Sequence, residues 1–134
     1  MISTVSSPAK ATLAGAAGAD EVLNYKTEPV AERVREITQG RGVDRIIELD
    51  VVVNGAMDRD LLRTGGELVA YGSSPQPLNL PFPVLLAKNI QLKFFRVYHL
   101  DAADRAKAQA TLRPRRLRPQ SRAPAGCSRP AAAR

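Results

Sequence analysis

The chain has 134 residues, of which 44% are hydrophobic, 25% charged and 4% aromatic, and its formal net charge is +7. This length suits a single domain with one core, and the charge would normally favour a nucleic acid or an anionic surface as a partner. The distribution of charge argues against such a partner, because residues 1–110 hold 13 basic and 13 acidic residues whereas residues 111–134 hold seven arginines and no acid. The part with a globular composition is therefore neutral, and we expect no nucleic-acid partner.

The cysteine content and the hydropathy pattern exclude several classes of protein. The chain has one cysteine, Cys127, which cannot form an internal disulfide or a cysteine-based zinc site. No apolar run approaches the roughly 18 residues of a membrane helix, and the N-terminus lacks the pattern of a secretory signal. We therefore expect a cytoplasmic protein with no metal site and no membrane partner.

Short apolar segments alternate with helical patterns along the first part of the chain. The first helical pattern starts with Ser7 and Pro8, a side-chain cap followed by proline, and Gly18 ends it. Ala9 and Leu13 form its expected inner stripe. The predicted strands begin near Ile2, Glu21, Val43, Glu67 and Ile90.

The stretch from Gly42 to Ser73 holds the strongest pattern. A β-branched run over residues 43–49 is typical of a strand buried in a parallel sheet. A helix, a turn at Gly65–Gly66 and a second buried strand follow it, and the helix has an apolar stripe at Val53, Met57 and Leu61. This order predicts a βαβ unit with two parallel strands. The same alternation along the chain predicts an α/β fold with a doubly wound (Rossmann-type) parallel sheet of about five strands.

The composition changes after Ala110. Residues 111–134 consist mainly of Arg, Pro, Ala and Ser, with scarcely a large apolar side chain and no periodicity. Such a composition cannot bury enough surface to offset the entropy of ordering, so it predicts a disordered C-terminal tail. The tail could also consist of residues translated after a shift of reading frame. An arginine-rich arm for nucleic acid is the remaining alternative, and no folded basic face supports it.

The residues at the carboxyl ends of the predicted strands are the candidates for ligand binding, because ligands of open parallel sheets bind there. Ser6 and Ser7 follow the first strand, and Lys10 lies one helical turn further on. Two hydroxyls, the N–H groups of a helix start and an ammonium suit the dianionic 2′-phosphate of NADPH. No Asp or Glu stands there to accept from the ribose hydroxyls of NAD, which favours NADPH over NADH. The alternative is a plain helix cap with a solvated lysine.

Later strand ends carry weaker candidates. Tyr25, after the second strand, could stack on an adenine or could only cover the sheet. Gly72 and Ser73 would let a backbone approach a ligand closely, although small residues also follow strands for reasons of turn geometry. His99 has no predictable serine or carboxylate partner, so we expect a surface or packing role for it.

Several segments together resemble the medium-chain dehydrogenase/reductase superfamily, and among its branches the zinc-independent, zeta-crystallin-like NADPH:quinone oxidoreductases. The segments are Ser-Ser-Pro-Ala-Lys (6–10), Ala-Gly-Ala-Asp-Glu-Val-Leu-Asn-Tyr-Lys-Thr-Glu (17–28), Arg-Gly-Val-Asp-Arg-Ile-Ile-Glu (41–48), Leu-Leu-Arg-Thr-Gly-Gly-Glu-Leu-Val-Ala-Tyr-Gly-Ser (61–73) and Lys-Asn-Ile-Gln-Leu-Lys-Phe-Phe (88–95). The resemblance covers roughly residues 2–110 and implies that residues 1–110 are a partial dinucleotide-binding domain.

The resemblance also implies a cofactor, a reaction and an assembly. In such enzymes hydride passes from NADPH to a quinone or an enone, and positioning and electrostatics do most of the catalytic work. The implied contacts of NADPH are Ser6, Ser7 and Lys10 with the 2′-phosphate, Tyr25 with the adenosine, Gly72 and Ser73 with the phosphates or ribose, and the turn at about Val97 with the nicotinamide. The family commonly dimerises through the last strand of the sheet, here residues 90–97.

The chain also departs from the family's pattern. The usual first strand with its glycine-rich turn, the catalytic domain before it and the closing C-terminal segment have no counterpart in the sequence. In the strand order 3-2-1-4-5-6 the first strand is central, with residues 2–5 on one side of it and residues 43–49 on the other. Either these two strands close up on each other or their edges stay open. We therefore expect an aggregation-prone fragment that is inactive alone.

Two alternative functions stay open. Residues 61–69 also resemble a late strand and turn of Rossmann-fold methyltransferases, but the early glycine-rich turn and following acid that would hold the methyl donor are missing. The other alternative is a non-catalytic binding or dimerisation module that uses the edge of the fifth strand. Size-exclusion chromatography tests that alternative, because it predicts a dimer that forms without nucleotide.

Overall fold

The computed structural model describes residues 1–111, in which strands and helices alternate. The tail predicted for residues 111–134 lies, apart from Thr111, outside the described residues. The strands are β1 (Ile2–Val5), β2 (Glu21–Asn24), β3 (Val43–Glu48), β4 (Leu62–Ala70) and β5 (Gln91–Phe94). The α-helices are α1 (Pro8–Ala16), α2 (Val30–Ile37), α3 (Val51–Leu61), α4 (Phe82–Ala87) and α5 (Ala102–Thr111), and a short 3-10 helix spans Val97–His99.

The strands form two parallel sheets. β1 pairs with β2, and β4 lies between β3 and β5. Within residues 1–111, β1 and β3 each pair on one side, so they have not closed up on each other and the edge of each that would meet a central strand has no ladder partner. The predicted α/β fold with an incomplete, parallel, Rossmann-type sheet is confirmed.

One continuous apolar layer lies under both sheets. Its first part consists of the buried residues Leu23, Val30, Val34 and Leu61. Its second part consists of the buried residues Val51, Leu62, Leu68 and Ala70. Val43 and Ile46 of β3 pack against both parts, and Ile2 of β1 packs against the first. The side chains of the two sheets therefore meet in one core although their strands do not pair.

The predicted inner stripe of α1 is wrong, and that of α3 is wrong at one of its three residues. In α1, Ala9 and Leu13 are exposed and no residue is fully buried, because the helix covers a sheet of only two strands. In α3, Leu61 is buried and Met57 packs against the core as predicted, whereas Val53 is 67% exposed. The buried face starts at Val51 instead of Val53, because Val51, the first residue of the helix, packs into the core beside Leu62 and Leu68.

β4 begins five residues earlier than predicted. Gly65 and Gly66, predicted as a turn, lie within the strand, where the pairing with β3 shifts register between Val43 and Arg45. Gly65 has a φ of 71°, in the left-handed region that suits glycine. The glycine pair therefore forms a bulge, which redirects the strand instead of ending it.

β5 is shorter than the predicted strand 90–97. Its pairing with β4 ends where Ala70 meets Phe94, because β4 itself ends at Ala70. Val97 lies beyond the strand and is the first residue of the 3-10 helix. None of the helices within residues 1–111 combines the length and hydropathy that a membrane span requires.

Candidate functional site

Ser6, Ser7 and Lys10 come together at the start of α1. Ser7 is the N-cap residue, and its Oγ accepts a hydrogen bond from the Lys10 N–H at 3.4 Å. The Lys10 Nζ donates to Ser6 Oγ at 3.0 Å. The first turn of α1 holds no acidic residue. Because the free N–H groups of a helix start carry partial positive charge, this arrangement of one ammonium and two hydroxyls suits an anion.

Tyr25 lies beside this cluster on the neighbouring strand. Its N–H donates to the Val5 C=O at 3.0 Å, so the ladder between β1 and β2 continues past the last pair of the two strands. This pairing places Tyr25 level with Ser6, the residue after Val5. Tyr25 is 56% exposed and is therefore accessible to a planar ligand.

Gly72 and Ser73 follow β4 in the other sheet. A Cβ atom at Gly72 would lie 2.5 Å from the Leu49 C=O, so only glycine allows the segments after β3 and β4 to approach this closely. The Ser73 Oγ donates to the Ser74 C=O at 2.9 Å. Val97, the last predicted cofactor residue, follows β5 and is 56% exposed.

Asp50 joins the two segments that Gly72 brings together, and the sequence analysis missed it. The Ser74 N–H donates to Asp50 Oδ1 at 3.0 Å, and the Ser74 hydroxyl donates to Oδ2. Asp50 is also the N-cap of α3, where it accepts from the Val53 N–H. The bonds from Ser74 lower the pKa of Asp50. In the sequence, Asp50 stands directly after a β-branched run and before a helical pattern, which is the position expected for an N-cap residue.

Glu48 at the end of β3 and Asp58 in α3 form a carboxyl pair. Glu48 Oε1 accepts hydrogen bonds from the Asp50 N–H at 2.6 Å and from Asn54 Nδ2 at 3.0 Å. Asp58 is 3% exposed, and its Oδ2 has no hydrogen-bond partner among the described residues. Burial and the neighbouring Glu48 carboxylate raise the pKa of Asp58 to about 7. The sequence carried a signal of this burial, because Asp58 shares one helix face with Val51, Asn54 and Leu61.

An apolar cavity lies away from the predicted cofactor residues. It has a volume of about 320 Å³ and lies between α3, β4 and the segment that leads into α4. Its lining includes Val52, Leu68, Leu78 and Leu85, with the side chain of Arg59 as its charged group. None of the predicted cofactor residues lines it.

Within residues 1–111, no three side chains of His, Cys, Asp or Glu are grouped so that they could hold a metal ion. The residues of the described part therefore do not fit a zinc ion. The donors at the start of α1 are hydroxyl, ammonium and backbone N–H groups, which fit a phosphate.

Two curated proteins are similar in sequence to part of this chain. A 2-haloacrylate reductase from a Burkholderia species is 40% identical over 74 residues, which are 54% of this chain and 22% of that protein. A quinone oxidoreductase from Salmonella typhimurium is 36% identical over 78 residues, which are 58% of this chain and 24% of that protein. The chain thus spans about a quarter of the length of these relatives.

The fold is also similar to that of a solved oxidoreductase. The crystal structure of Escherichia coli quinone oxidoreductase complexed with NADPH aligns with 83% of this chain and 35% of that protein, with a TM-score of 0.69 and 28% identity. The family described as zinc-binding dehydrogenase matches residues 1–112, which include all five strands and the start of α1 with its serine and lysine cluster. This chain belongs to the zinc-binding dehydrogenase family and is a partial, quinone oxidoreductase-like member of the medium-chain dehydrogenase/reductase superfamily.

Proposed function

We propose that this chain is the cofactor-binding part of an oxidoreductase that transfers hydride from NADPH to a quinone or an enone. The observation that carries the proposal is the Lys10 ammonium held 3.0 Å from Ser6 Oγ at the start of α1. With no acidic residue in the first turn of α1, this corner favours a group with two negative charges. The 2′-phosphate that distinguishes NADPH from NADH is such a group.

The remaining predicted residues complete the proposed contacts. Tyr25 lies one strand away from Lys10, where its exposed ring would contact the adenosine. Gly72, Ser73 and Val97 follow two strands of the other sheet and would contact the phosphates or ribose and the nicotinamide. When bound, the cofactor supplies the hydride. The residues of this chain bind and orient it.

The names of the relatives support the substrate class. One is a 2-haloacrylate reductase and another a quinone oxidoreductase, and both names describe reduction of a small conjugated molecule. We also propose that residues 1–110 are the partial dinucleotide-binding domain, that the chain alone has no turnover, and that it acts in the cytoplasm. The proposed homodimer would form through residues 90–97, where β5 has no second partner within residues 1–111.

The direct test compares two adenosine nucleotides that differ in the 2′-phosphate. The full chain is titrated with 2′,5′-ADP and with 5′-AMP, and binding is measured by calorimetry. We expect 2′,5′-ADP to bind more tightly, and Lys10→Gln to reduce that preference by about tenfold, which is the typical worth of a charge-assisted contact. Lys107→Gln, a change in α5, is the matched control and should leave the preference unchanged. Equal binding of the two nucleotides by the unchanged chain would overturn the assignment of NADPH.

A further inference from the structure

We propose that Asp50 is a positioning residue of the proposed cofactor site, because it holds residues 72–74 in the place where Gly72 and Ser73 would contact NADPH. We refer to residues 72–74 as the β4 exit segment. The inference rests on the proposed function, and it concerns the half of the cofactor that lies away from Lys10. Asp50 acts on the cofactor through this segment.

The β4 exit segment begins where the ladder of the three-stranded sheet ends. β3 and β4 run parallel, and their last pair is Glu48 with Ala70. The Tyr71 N–H still donates to the Glu48 C=O at 3.0 Å. Beyond it, no backbone–backbone hydrogen bond within residues 1–111 involves the β4 exit segment. The ladder therefore does not fix the segment, although it lies at the carboxyl edge of the sheet, where parallel sheets bind ligands.

The Asp50 carboxylate takes the place of the ladder. Its Oδ1 accepts from the Ser74 N–H at 3.0 Å, and its Oδ2 accepts from the Ser74 hydroxyl. Hydrogen bonds to a carboxylate are about twice as strong as those between neutral groups. The bonds from Ser74 also keep the pKa of Asp50 low, so Asp50 carries its charge at neutral pH. Asp50 thus binds both a backbone donor and a side-chain donor of the β4 exit segment.

Asp50 can hold the segment because it is itself fixed. It is the N-cap residue of α3 and accepts from the Val53 N–H at 3.4 Å. Its own N–H donates to Glu48 Oε1 at 2.6 Å. Val51, the next residue, is buried and packs into the core. The carboxylate is therefore attached to a buried helix start, which makes it a rigid support.

Close packing fixes the other end of the β4 exit segment. A Cβ atom at Gly72 would lie 2.5 Å from the Leu49 C=O, so Gly72 lies directly against the residue before Asp50. Ser73 lies between this contact and the hydrogen bonds of Ser74. The N–H groups of Gly72 and Ser73 have no backbone acceptor in the described part of the chain, so they can donate to a phosphate or a carboxamide. Because the segment is held at both ends, these donors are preorganised for a ligand.

The position of Asp50 predicts which half of the cofactor it affects. Asp50 and the β4 exit segment belong to the sheet of β3, β4 and β5, whereas Ser7 and Lys10 follow β1 in the other sheet. Without the hydrogen bonds between Asp50 and Ser74, the segment has to be ordered when the whole dinucleotide binds, which costs affinity. The affinity for 2′,5′-ADP, which would bind at Lys10, should not change.

The experiment compares the binding of NADPH and of 2′,5′-ADP to the full chain by calorimetry. Asp50→Ser keeps a good N-cap residue, but its single hydroxyl oxygen lies closer to the backbone and cannot accept both hydrogen bonds from Ser74. Ser74→Ala removes the hydroxyl and leaves the cap of α3 unchanged. Asp101→Ser is the matched control, because Asp101 accepts from the Asp104 N–H at 2.7 Å at the start of α5. Circular dichroism establishes that the variants fold.

We expect Asp50→Ser and Ser74→Ala to weaken the binding of NADPH about tenfold, which corresponds to one hydrogen bond to a charged group. Both variants should bind 2′,5′-ADP as the unchanged chain does. The Asp101→Ser variant should bind both ligands normally. Ser74→Thr keeps the hydroxyl, so this variant should bind NADPH as tightly as the unchanged chain.

The other outcomes separate this inference from the proposed function. Equal weakening of both ligands would indicate a general loss of structure and would overturn the inference, as would no effect on either ligand. If the unchanged chain binds NADPH no more tightly than 2′,5′-ADP, the inference fails and the assignment of the 2′-phosphate to Lys10 stands. If the unchanged chain binds neither ligand, the proposed function fails and the inference fails with it.

Hydrogen exchange followed by NMR tests the positioning without a ligand. The Ser74 N–H is bonded to Asp50, so its amide should be protected in the unchanged chain. In the Asp50→Ser variant this amide should exchange faster, whereas the amides of β4 should stay protected. An unprotected Ser74 amide in the unchanged chain would overturn the inference even if no variant folds.

Discussion

The carboxyl group of Asp58 in α3 interacts with that of Glu48, the last residue of β3, and Asp58 is only 3% exposed. Two adjacent carboxylates are unfavourable, since their repulsion adds to the cost of removing Asp58 from water. A proton on Asp58 that is hydrogen-bonded to Glu48 removes the repulsion. The pKa of Asp58 near 7 reflects this arrangement.

Asp58→Asn should stabilise the protein at alkaline pH. The folded-state pKa of Asp58 is raised from 3.8 to about 7, so its favourable contribution is full below pH 3.8 and is lost as the pH rises through 7. An asparagine is neutral at every pH and can donate to Glu48. We expect a gain of about 2–4 kcal/mol in the free energy of unfolding at pH 8.

Urea unfolding between pH 5 and pH 8 measures this effect. The unchanged chain should lose stability across that interval, and the loss should be much smaller for the Asp58→Asn variant. Asp60→Asn is the matched control, because the Asp60 carboxylate is more exposed and is paired with Arg59. A gain that is independent of pH would contradict the assignment to Asp58.

Gly72→Ala should destabilise the fold. The added Cβ would lie 2.5 Å from the Leu49 C=O and 2.7 Å from Leu49 Cδ1, so the segments after β3 and β4 would have to separate. We expect a loss of about 1–3 kcal/mol, as for other overpacked positions. Urea unfolding measures the change.

Gly55→Ala is the matched control for that substitution. Its Cβ would meet the Val51 Cγ2 at 3.6 Å, an ordinary contact, and the position lies inside α3. Alanine is the better helix former, so we expect a gain of up to about 1 kcal/mol. Equal effects of the two substitutions would show that the close approach at Gly72 is not required.

Ser74→Ala should make the protein less sensitive to acid. The hydroxyl and N–H of Ser74 hold the pKa of Asp50 below its ordinary value of 3.8. A lowered folded-state pKa contributes stability above 3.8, and that stability is lost as the pH falls through the folded-state pKa. The variant keeps the N–H but loses the hydroxyl, so it should be less stable than the unchanged chain at pH 7 and closer to it at pH 2.

Thermal unfolding at several pH values measures this convergence. Ser73→Ala is the control, because the Ser73 hydroxyl donates to the Ser74 C=O and does not contact Asp50. A constant difference between the Ser74→Ala variant and the unchanged chain from pH 7 to pH 2 would contradict the role given to Asp50.

Glu67→Gln should weaken the three-stranded sheet in a salt-dependent way. Glu67 of β4 pairs with Arg45 of β3 at 2.5 Å and with Lys93 of β5, so one carboxylate joins three strands. Bonds from Lys93 and Arg45 lower the pKa of Glu67. The difference in urea midpoint between the two proteins should shrink in high salt, because both cations are exposed and screened. A difference that persists in high salt would indicate a role in packing instead.

The sequence by itself determined the class of fold and the residues at the start of α1. Apolar runs and the Ser7–Pro8 cap are local signals, so they predicted the alternation of strands and helices and the parallel pairing. The family was predicted from the resemblance of five segments of the sequence, and the family match confirms it. Ser6 directly precedes the N-cap residue Ser7, and Lys10 lies in the first turn of α1, so the local sequence brings the two residues close together. The roles of these residues in binding NADPH stay predictions.

The tertiary structure decided the features that depend on packing between distant segments. The buried face of α3 is set by what its first residue packs against, so the periodicity alone misplaced Val53. The ends of β4 and β5 depend on where a partner strand is present. The glycine pair of β4 forms a bulge instead of a turn, because β4 pairs with β3 on both sides of it. The hydrogen bonds between Asp50 and Ser74 also join residues far apart in sequence. Local pattern does not encode such relations, because they arise only when separate elements meet over one core.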